Sequence, residues 1–387
     1  MAESEQAHTA AEIEGVEEVI AGEEERIYVA PYWKLMWWRF RKHKMALISV
    51  GILGLFYLVG IFCEFVAPYD PGEYFVKYKF APPSPIHIRD AEGNFHWPFV
   101  YRIEHGRDPE TMRYLYEEDT GARYPIQFFV HGTEYEMWGL WKTDLHFFGL
   151  PVPQEEQGVF LAGADRLGRD IFSRLCYGAR ISLSIGLVGV LLSLTLGIIL
   201  GGISGYYGGR ADTIIQRVIE FIRTIPSIPL WMALSAALPS NWPIVRLYFG
   251  ITVILSLIGW TWMARVVRGR FLALREEDFV MAARLAGSSQ IRIILRHMVP
   301  SFLSYIIASL TLAVPNMILA ETGLSFIGLG LRAPAISWGV SLQEAQNVRS
   351  LALAPWVFAP AFFVVVAVLA FNFVGDGLRD AADPYAR

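Results

Sequence analysis

Nowhere in these 387 residues is a glycine followed directly by a lysine, and the last lysine is Lys142. The phosphate-cradling pattern G-x-x-x-x-G-K-[ST] is therefore missing, which excludes ATP binding in the P-loop manner. Charge is missing over long stretches too. Residues 45–63, 181–209, 224–245, 247–264, 297–320 and 350–375 hold no Asp, Glu, Lys or Arg. Each is long enough to cross ~30 Å of hydrocarbon, which takes roughly 17–25 helical residues. Proton- or sodium-coupled carriers and voltage sensors usually need ionisable groups inside such spans, so their lack argues against both. Cysteine is scarce: Cys63 and Cys176 both fall near one end of a span and read as small packing residues rather than a disulfide.

What is present is apolar. Hydrophobic residues make up 54% of the chain and charged residues 18%, too apolar for a soluble protein with one core. The pattern predicts an all-α polytopic membrane protein with six transmembrane helices. The third span is interrupted by Pro226, Pro229, Pro239 and Pro243. Its helix is expected to begin near Thr213, to end before Pro239 and to lie inside the bundle, where neighbours re-satisfy the backbone groups freed by a bend. Arg265, Arg268, Arg270, Arg275, Arg284, Arg292 and Arg296 crowd the connection between the fourth and fifth spans. The positive-inside rule puts that connection, and with six spans both termini, in the cytoplasm. Lys34, Arg39, Arg41, Lys42 and Lys44 before the first span agree; Arg166, Arg169, Arg174 and Arg180 belong to a long loop, where the rule is weak.

The first 30 residues, with nine Glu and one Arg, have no apolar core and read as an acidic cytoplasmic tail rather than a signal peptide. Between the first two spans, residues 67 to about 172 are polar and rich in aromatics and proline. Runs such as 127–130 and 134–141 alternate like strands. A structureless loop of this length is uncommon, so a small folded external domain is expected. Its Trp97, Tyr114, Tyr116, Trp138 and Trp141 read first as the insert's own small core and second as a docking surface. His87, His96 and His105 match no metal-ligand spacing and read as surface histidines.

Residues 278–300, DFVMAARLAGSSQIRIILRHMVP, are the most informative segment. Asp278, after Glu276 and Glu277, sits at the start of a short helix, where acids suit the positive dipole end. Ala282 and Ala283 have almost no side chain, so this helix can lie in a groove on a partner. Gly287 can take the left-handed conformation that ends a helix, and Ser288 or Ser289 can cap the next. Ile291, Ile294 and Leu295 are expected to form its apolar stripe, and Pro300 suits the first turn of the fifth span. A helix-turn-helix joined directly to two spans can transmit a push.

Four stretches, in this order and at these positions, resemble the membrane permease subunit of oligopeptide/dipeptide-type ABC importers, the second kind in each permease pair. The first is Gly163-Ala164-Asp165-Arg166-Leu167-Gly168-Arg169-Asp170-Ile171-Phe172-Ser173-Arg174. The second is Gly205-Tyr206-Tyr207-Gly208-Gly209-Arg210-Ala211-Asp212. Residues 278–300, with Met281, Arg296 and Pro300, match the coupling loop. The fourth runs from Glu321 through Leu324, Ser325, Gly328 and Gly330 to Trp338, completed by Gly375, Asp376, Asp380 and Asp383-Pro384. The resemblance covers residues 160–387 closely and 33–71 more loosely.

That resemblance implies a type I ABC importer fold divided as follows: cytoplasmic tail and basic flank 1–44, first helix 45–66, extracytoplasmic insert 67–177, importer domain 178–376 and cytoplasmic C-terminus 377–387. It also implies a second permease subunit, two cytoplasmic ATPase subunits that hold ATP and Mg, an extracytoplasmic solute-binding protein, and short peptides as cargo. The chain itself is expected to carry no catalytic residue, metal or cofactor, to touch membrane lipid and no nucleic acid, and to sit in the inner membrane. Two residues depart from the family pattern. Met281 stands where an acid usually precedes Ala-Ala, and Ala164 where Gly-Thr-Asp is usual; the insert is also longer than in short members. An oligosaccharide or other small-solute importer is the nearest alternative. An ion-coupled carrier and a membrane-anchored receptor are the readings from other classes.

Overall fold

The computed structural model describes residues 32–107, 109, 114–150, 159–239 and 241–382. The acidic tail and the Asp383-Pro384 pair lie outside them. Among the described residues the bundle and its flanks are built on α1 Tyr32–Lys42, α2 Lys44–Ile61, α3 Cys63–Val66, α4 Ile171–Tyr207, α5 Gly209–Thr224, α6 Ser227–Ala236, α7 Ile244–Leu274, α8 Asp278–Leu285, α9 Leu303–Phe326 and α10 Ala359–Ala382. Short helical pieces such as Trp338–Leu342 and Val348–Leu353 lie between them. Among the described residues, five helical stretches are long and apolar enough to cross a membrane, and α5 with α6 qualifies only as a pair bent by 87°.

Two of the spanning helices, α4 and α7, are longer than their charge-free runs, and for one reason. At 1.5 Å per residue, the 37 residues of α4 reach about 55 Å, well beyond ~30 Å of hydrocarbon. Its ends project, so they can be charged: α4 starts ten residues before the expected 181 and takes in Arg174 and Arg180, and α7 runs past 264 to include Arg265, Arg268 and Arg270. The last helix is offset, Ala359–Ala382 instead of 350–375. The fifth is too: α9 begins at Leu303 and carries Glu321, so the expectation of acid-free spans is corrected there. The third span is not one helix. Pro226 lacks an N–H, its predecessor Ile225 is extended, and the chain turns sharply between α5 and α6.

Glycine decides how the bundle closes. A methyl on Gly197 would fall 2.6 Å from Met263, one on Gly201 2.4 Å from the Ala264 carbonyl oxygen, and one on Gly205 2.7 Å from Arg268 and Phe271. Bare backbone is needed at each, and α4 and α7 lie in close contact along their length. Residue numbers rise together along that contact, so the two helices run parallel, and residues 208–243 must travel back along the bundle. α9 runs against α4, with Gly186 facing Val314 and Ile318. The main core gathers Leu183, Ile185, Leu255, Ile318, Trp338 and Ala367. At one end α1 packs through Phe40 on Gly377 and Ala381 of α10. The other end carries the insert.

The insert departs from the all-α class, and the runs read as strands at 127–130 and, up to Met137, at 134–141 are strand. Three antiparallel strands, β1 His87–Arg89, β2 Phe95–Arg107 and β3 Tyr114–Pro125, form one sheet. β4 Gln127–Met137 and β5 Trp141–Gly149 form a separate hairpin. Its base is tied to the bundle: Ser84 N donates to Phe160 O at 2.8 Å, and Phe80 N to Asp165 O at 3.0 Å. Of the aromatics expected as its core, Tyr116 is half-buried with its hydroxyl donating to Lys79 O, while Trp97, Trp138 and Trp141 are exposed, the first two with indoles donating to Ile126 O and Ile61 O. His96 pairs with Asp90 and His87 with Glu118. Cys63 and Cys176 are free thiols in one buried cluster.

Candidate functional site

The end of the bundle remote from the insert carries residues 278–300. Helix α8 starts after the extended residue Glu277, and Gly287 ends its turn at φ +74°. Ser288 N donates back to Ala283 O at 3.0 Å and Gly287 N to Arg284 O at 2.9 Å, the closing pattern a left-handed residue permits. Nothing lies within 4 Å of where a Gly287 side chain would begin, so backbone conformation alone asks for glycine. Val280 is fully buried with Ile293, Met298 and Phe271, and Ala283 packs against the same cluster. That rigid seat leaves the opposite face of α8 bare: Asp278, Phe279, Met281, Ala282 and Leu285 are exposed, Leu285 at 88%.

Three expectations about this loop change. Ala283 faces its own chain and only Ala282 faces outward. Ser289 stands at the N-cap position of the turn Gln290–Ile293 but makes no side-chain cap bond. The second turn buries Ile293 and Met298 instead of Ile291 and Leu295, which stay exposed. A π-helical turn over Ile294–Met298 explains this, because its wider winding rotates the apolar face. Arg296 and Pro300 are exposed, and a break at Phe302 separates Pro300 from α9. Phe279 and Leu285 were missed from the sequence. Apolar Phe279 and Leu285, six apart on either side of Val280 and Ala283, were the available signal.

The second stretch lies directly above this loop. Gly208 (φ +66°) and Gly209 (φ +54°) turn α4 into α5. Tyr206 shares the buried cluster of α8, and the Arg284 guanidinium sits 5.3 Å from its ring centre. Met281 offers only its sulfur to Arg284, at 4.0 Å, where an acid would offer a carboxylate. Asp212 accepts from two guanidinium nitrogens of Arg268, Nε and Nη2, at 2.6 Å each and also accepts from Ser204. Asp212 and Arg268 therefore lock α4, α5 and α7 together where α8 begins. Gly375 and Asp380 belong to this end as well: Gly375 faces Leu312, and Asp376 and Asp380 are exposed on the last turns of α10. They do not complete the Glu321–Trp338 stretch in space.

The first and fourth stretches meet at the insert end. Asp165 accepts from Arg169 Nε at 2.6 Å and from the Leu167 and Arg169 amides, and Arg169 reaches Glu344 at 3.3 Å. Gly168, at φ +80°, leaves 2.1 Å between a would-be methyl and Phe75 O. Asp170 caps α4 by accepting from the Ser173 amide and hydroxyl. Burial raises its carboxyl to about 6, against those hydrogen bonds. Arg174 reaches Pro71 O at 3.4 Å. Fully buried Glu321 accepts from Ser182 and Ser325 at 3.2 and 2.8 Å, and Ser325 accepts from Leu331 N. Leu324 is buried beside them. Gly328 turns at φ +77°, while Gly330 leaves no room for a methyl beside Ser325. Trp338, wholly buried, donates from its ring to Leu175 O and from its backbone to Ser182. Residues some 150 apart thus form one junction at the mouth of the bundle.

Two cavities face away from that junction. One of about 1210 Å³ is lined by Trp33, Arg270, Tyr305, Asn316 and Arg379, and one of about 500 Å³ by Arg223, Trp231 and Ser193. They adjoin at Trp262, Ala313 and Asn316. The Trp231 indole N–H has no partner among the described residues. Together the cavities line an open polar–apolar trough along α7 and α9.

Residues 194–387 match the family described as binding-protein-dependent transport system inner membrane component. Residues 31–83 match the N-terminal TM domain of oligopeptide transport permease C. The oligopeptide transport system permease protein OppC of Bacillus subtilis is 40% identical over 226 residues, 58% of this chain and 72% of its own. The dipeptide transport system permease protein DppC of the same organism is 40% identical over 227 residues, 58% and 68%. OppC of Haemophilus influenzae is 38% identical over 232 residues, 60% and 72%. An inward-facing MetNI methionine ABC transporter aligns with a TM-score of 0.42 and 18% identity, covering 55% of this chain and 97% of that one, too remote to carry weight. With half its length under the family model and these relatives covered over most of their own, the chain belongs to the binding-protein-dependent transport system inner membrane components: it is a transport permease subunit of the inner membrane, not an enzyme.

Proposed function

We propose that this permease forms half of the pathway by which an ATP-driven importer brings short peptides into the cell. One observation carries the coupling role. Helix α8 is seated on its own chain through Val280 and Ala283 and offers Phe279, Met281, Ala282 and Leu285 to a partner. A seated helix moves with α7 and α9 when pushed. The partner is a cytoplasmic ATPase, one of two that would hold ATP and Mg. The trough along α7 and α9 would be completed by a second permease subunit, and cargo would arrive on an extracytoplasmic binding protein. Peptide cargo follows from the relatives named for oligopeptide and dipeptide transport.

Six crossings fit the parallel course of α4 and α7, because residues 208–243 then return through the membrane as the bent α5–α6 pair. With residues 278–300 in the cytoplasm, both termini are cytoplasmic and the insert is external. Glu321 does not revive an ion-coupled carrier: its carboxylate is spent on Ser182 and Ser325, and it is not among the described residues lining either cavity. The test is uptake by proteoliposomes holding both permeases, the ATPases and the binding protein. Labelled short peptides should accumulate with ATP and not without it. Accumulation of a labelled oligosaccharide in their place would overturn the cargo, and uptake undiminished without the ATPases would overturn the mechanism.

A further inference from the structure

The β4–β5 hairpin holds its tip against the last turn of the first spanning helix. The carbonyls that close a helix lack internal partners, and at the edge of a bilayer water is scarce. At the end of α2 they are supplied from two directions. Arg180 donates to Gly60 O and Ile61 O at 2.8 Å each while forking onto Glu64, and the Trp138 indole donates to Ile61 O at 2.7 Å. Trp138 reaches there in the left-handed conformation at φ +52°, uncommon for a bulky side chain. Its ring lies 5.6 Å from Phe62 and 5.6 Å from Trp141. Phe129, also left-handed at φ +57°, packs on Phe65. Two unfavourable backbone positions thus fix the hairpin to the end of α2 and to α3 just beyond it.

The tip is apolar and bare. Leu140 is 73% exposed and Trp141 54%. They continue, through Trp138 and Phe62, the exposed stripe of α2 made by Leu55, Leu58 and Ile61, the surface this helix turns to lipid. Charge returns only on the strands, as the cross-strand pair Glu136 and Lys142. Indole rings at the end of an apolar stripe, followed by a lysine, are the arrangement favoured at the boundary of acyl chains and headgroups. We propose that the turn Trp138-Gly139-Leu140-Trp141 dips into the outer leaflet and anchors the insert to the lipid surface. The continuity with α2 favours lipid over a protein partner, which would leave the stripe and the tip to different neighbours.

The test uses the full chain in lipid vesicles, with a polarity-sensitive dye on a single introduced cysteine; the two native thiols are buried. Leu140→Cys and Trp141→Cys report the tip, Leu55→Cys the lipid stripe of α2, and Glu92→Cys an exposed turn of the three-stranded sheet. Bromines placed high on the acyl chains should remove most of the tip dyes' emission, and aqueous iodide should barely touch them; the Glu92→Cys dye should behave the opposite way. Tip dyes that respond like the one at residue 92 overturn the proposal. Shielding that arises only after binding protein is added would overturn it too and assign the tip to protein docking. The Leu55→Cys dye keeps the arms apart: if bromines in the acyl chains do not quench it, α2 itself is not in the bilayer and the transport reading fails first.

Discussion

Leu285→Ala isolates docking of the ATPase from stability of the permease. The side chain is 88% exposed and supports nothing in its own chain, so removing it should leave folding and membrane abundance unchanged. Docking would bury it. At about 0.8 kcal/mol per buried carbon group, the three carbons lost, scaled by that exposure, come to about 2 kcal/mol, or about 30-fold in affinity. The assay is a titration of nanodisc-embedded permease pairs with labelled ATPase, run beside thermal unfolding of the same discs. Ile293→Ala is the contrast: it is wholly buried beneath α8, so it should cost about 2–5 kcal/mol of stability by opening a cavity. If Leu285→Ala binds ATPase within twofold of the parent, α8 does not present its docking face, and the seated-helix argument is wrong.

Gly287→Pro locks φ near −65° where +74° is required, so transport should collapse while insertion stays normal, read by uptake beside membrane abundance. Trp338→Ala removes a fully buried ring and its bond to Leu175 O; it should cost about 3–5 kcal/mol, visible as a lower melting temperature in detergent. Deleting residues 86–158 leaves Ser84 and Phe160 hydrogen-bonded to each other, so a short linker can reseal the base. Stimulation of ATP hydrolysis by the binding protein should fall while the basal rate holds; full stimulation would make the insert a passenger. The chain alone should hydrolyse no ATP above an empty-disc control, and turnover that copurifies through every step would refute this.

The amino-acid sequence by itself determined the class of this protein. Long uncharged runs are read as spans, because an uncompensated charge in hydrocarbon is too costly, and the missing phosphate loop excludes ATP binding in the P-loop manner. It also singled out residues 278–300 as the candidate coupling segment, since Gly287 after an alanine-rich helix is a local signal. What it could not settle is where helices end, because charged ends such as Arg174 and Arg268 are tolerated once they project beyond the acyl chains or find Asp212. The distant meetings of Asp165 with Glu344 through Arg169, and of Ser182 with Glu321, depend on helix packing that no local pattern encodes. The same holds for which alanine of α8 faces outward: Ala282 and Ala283 are equivalent in sequence. Only the position of Val280 in the core, set by Phe271 and Met298 from two other elements, turns one outward and the other inward.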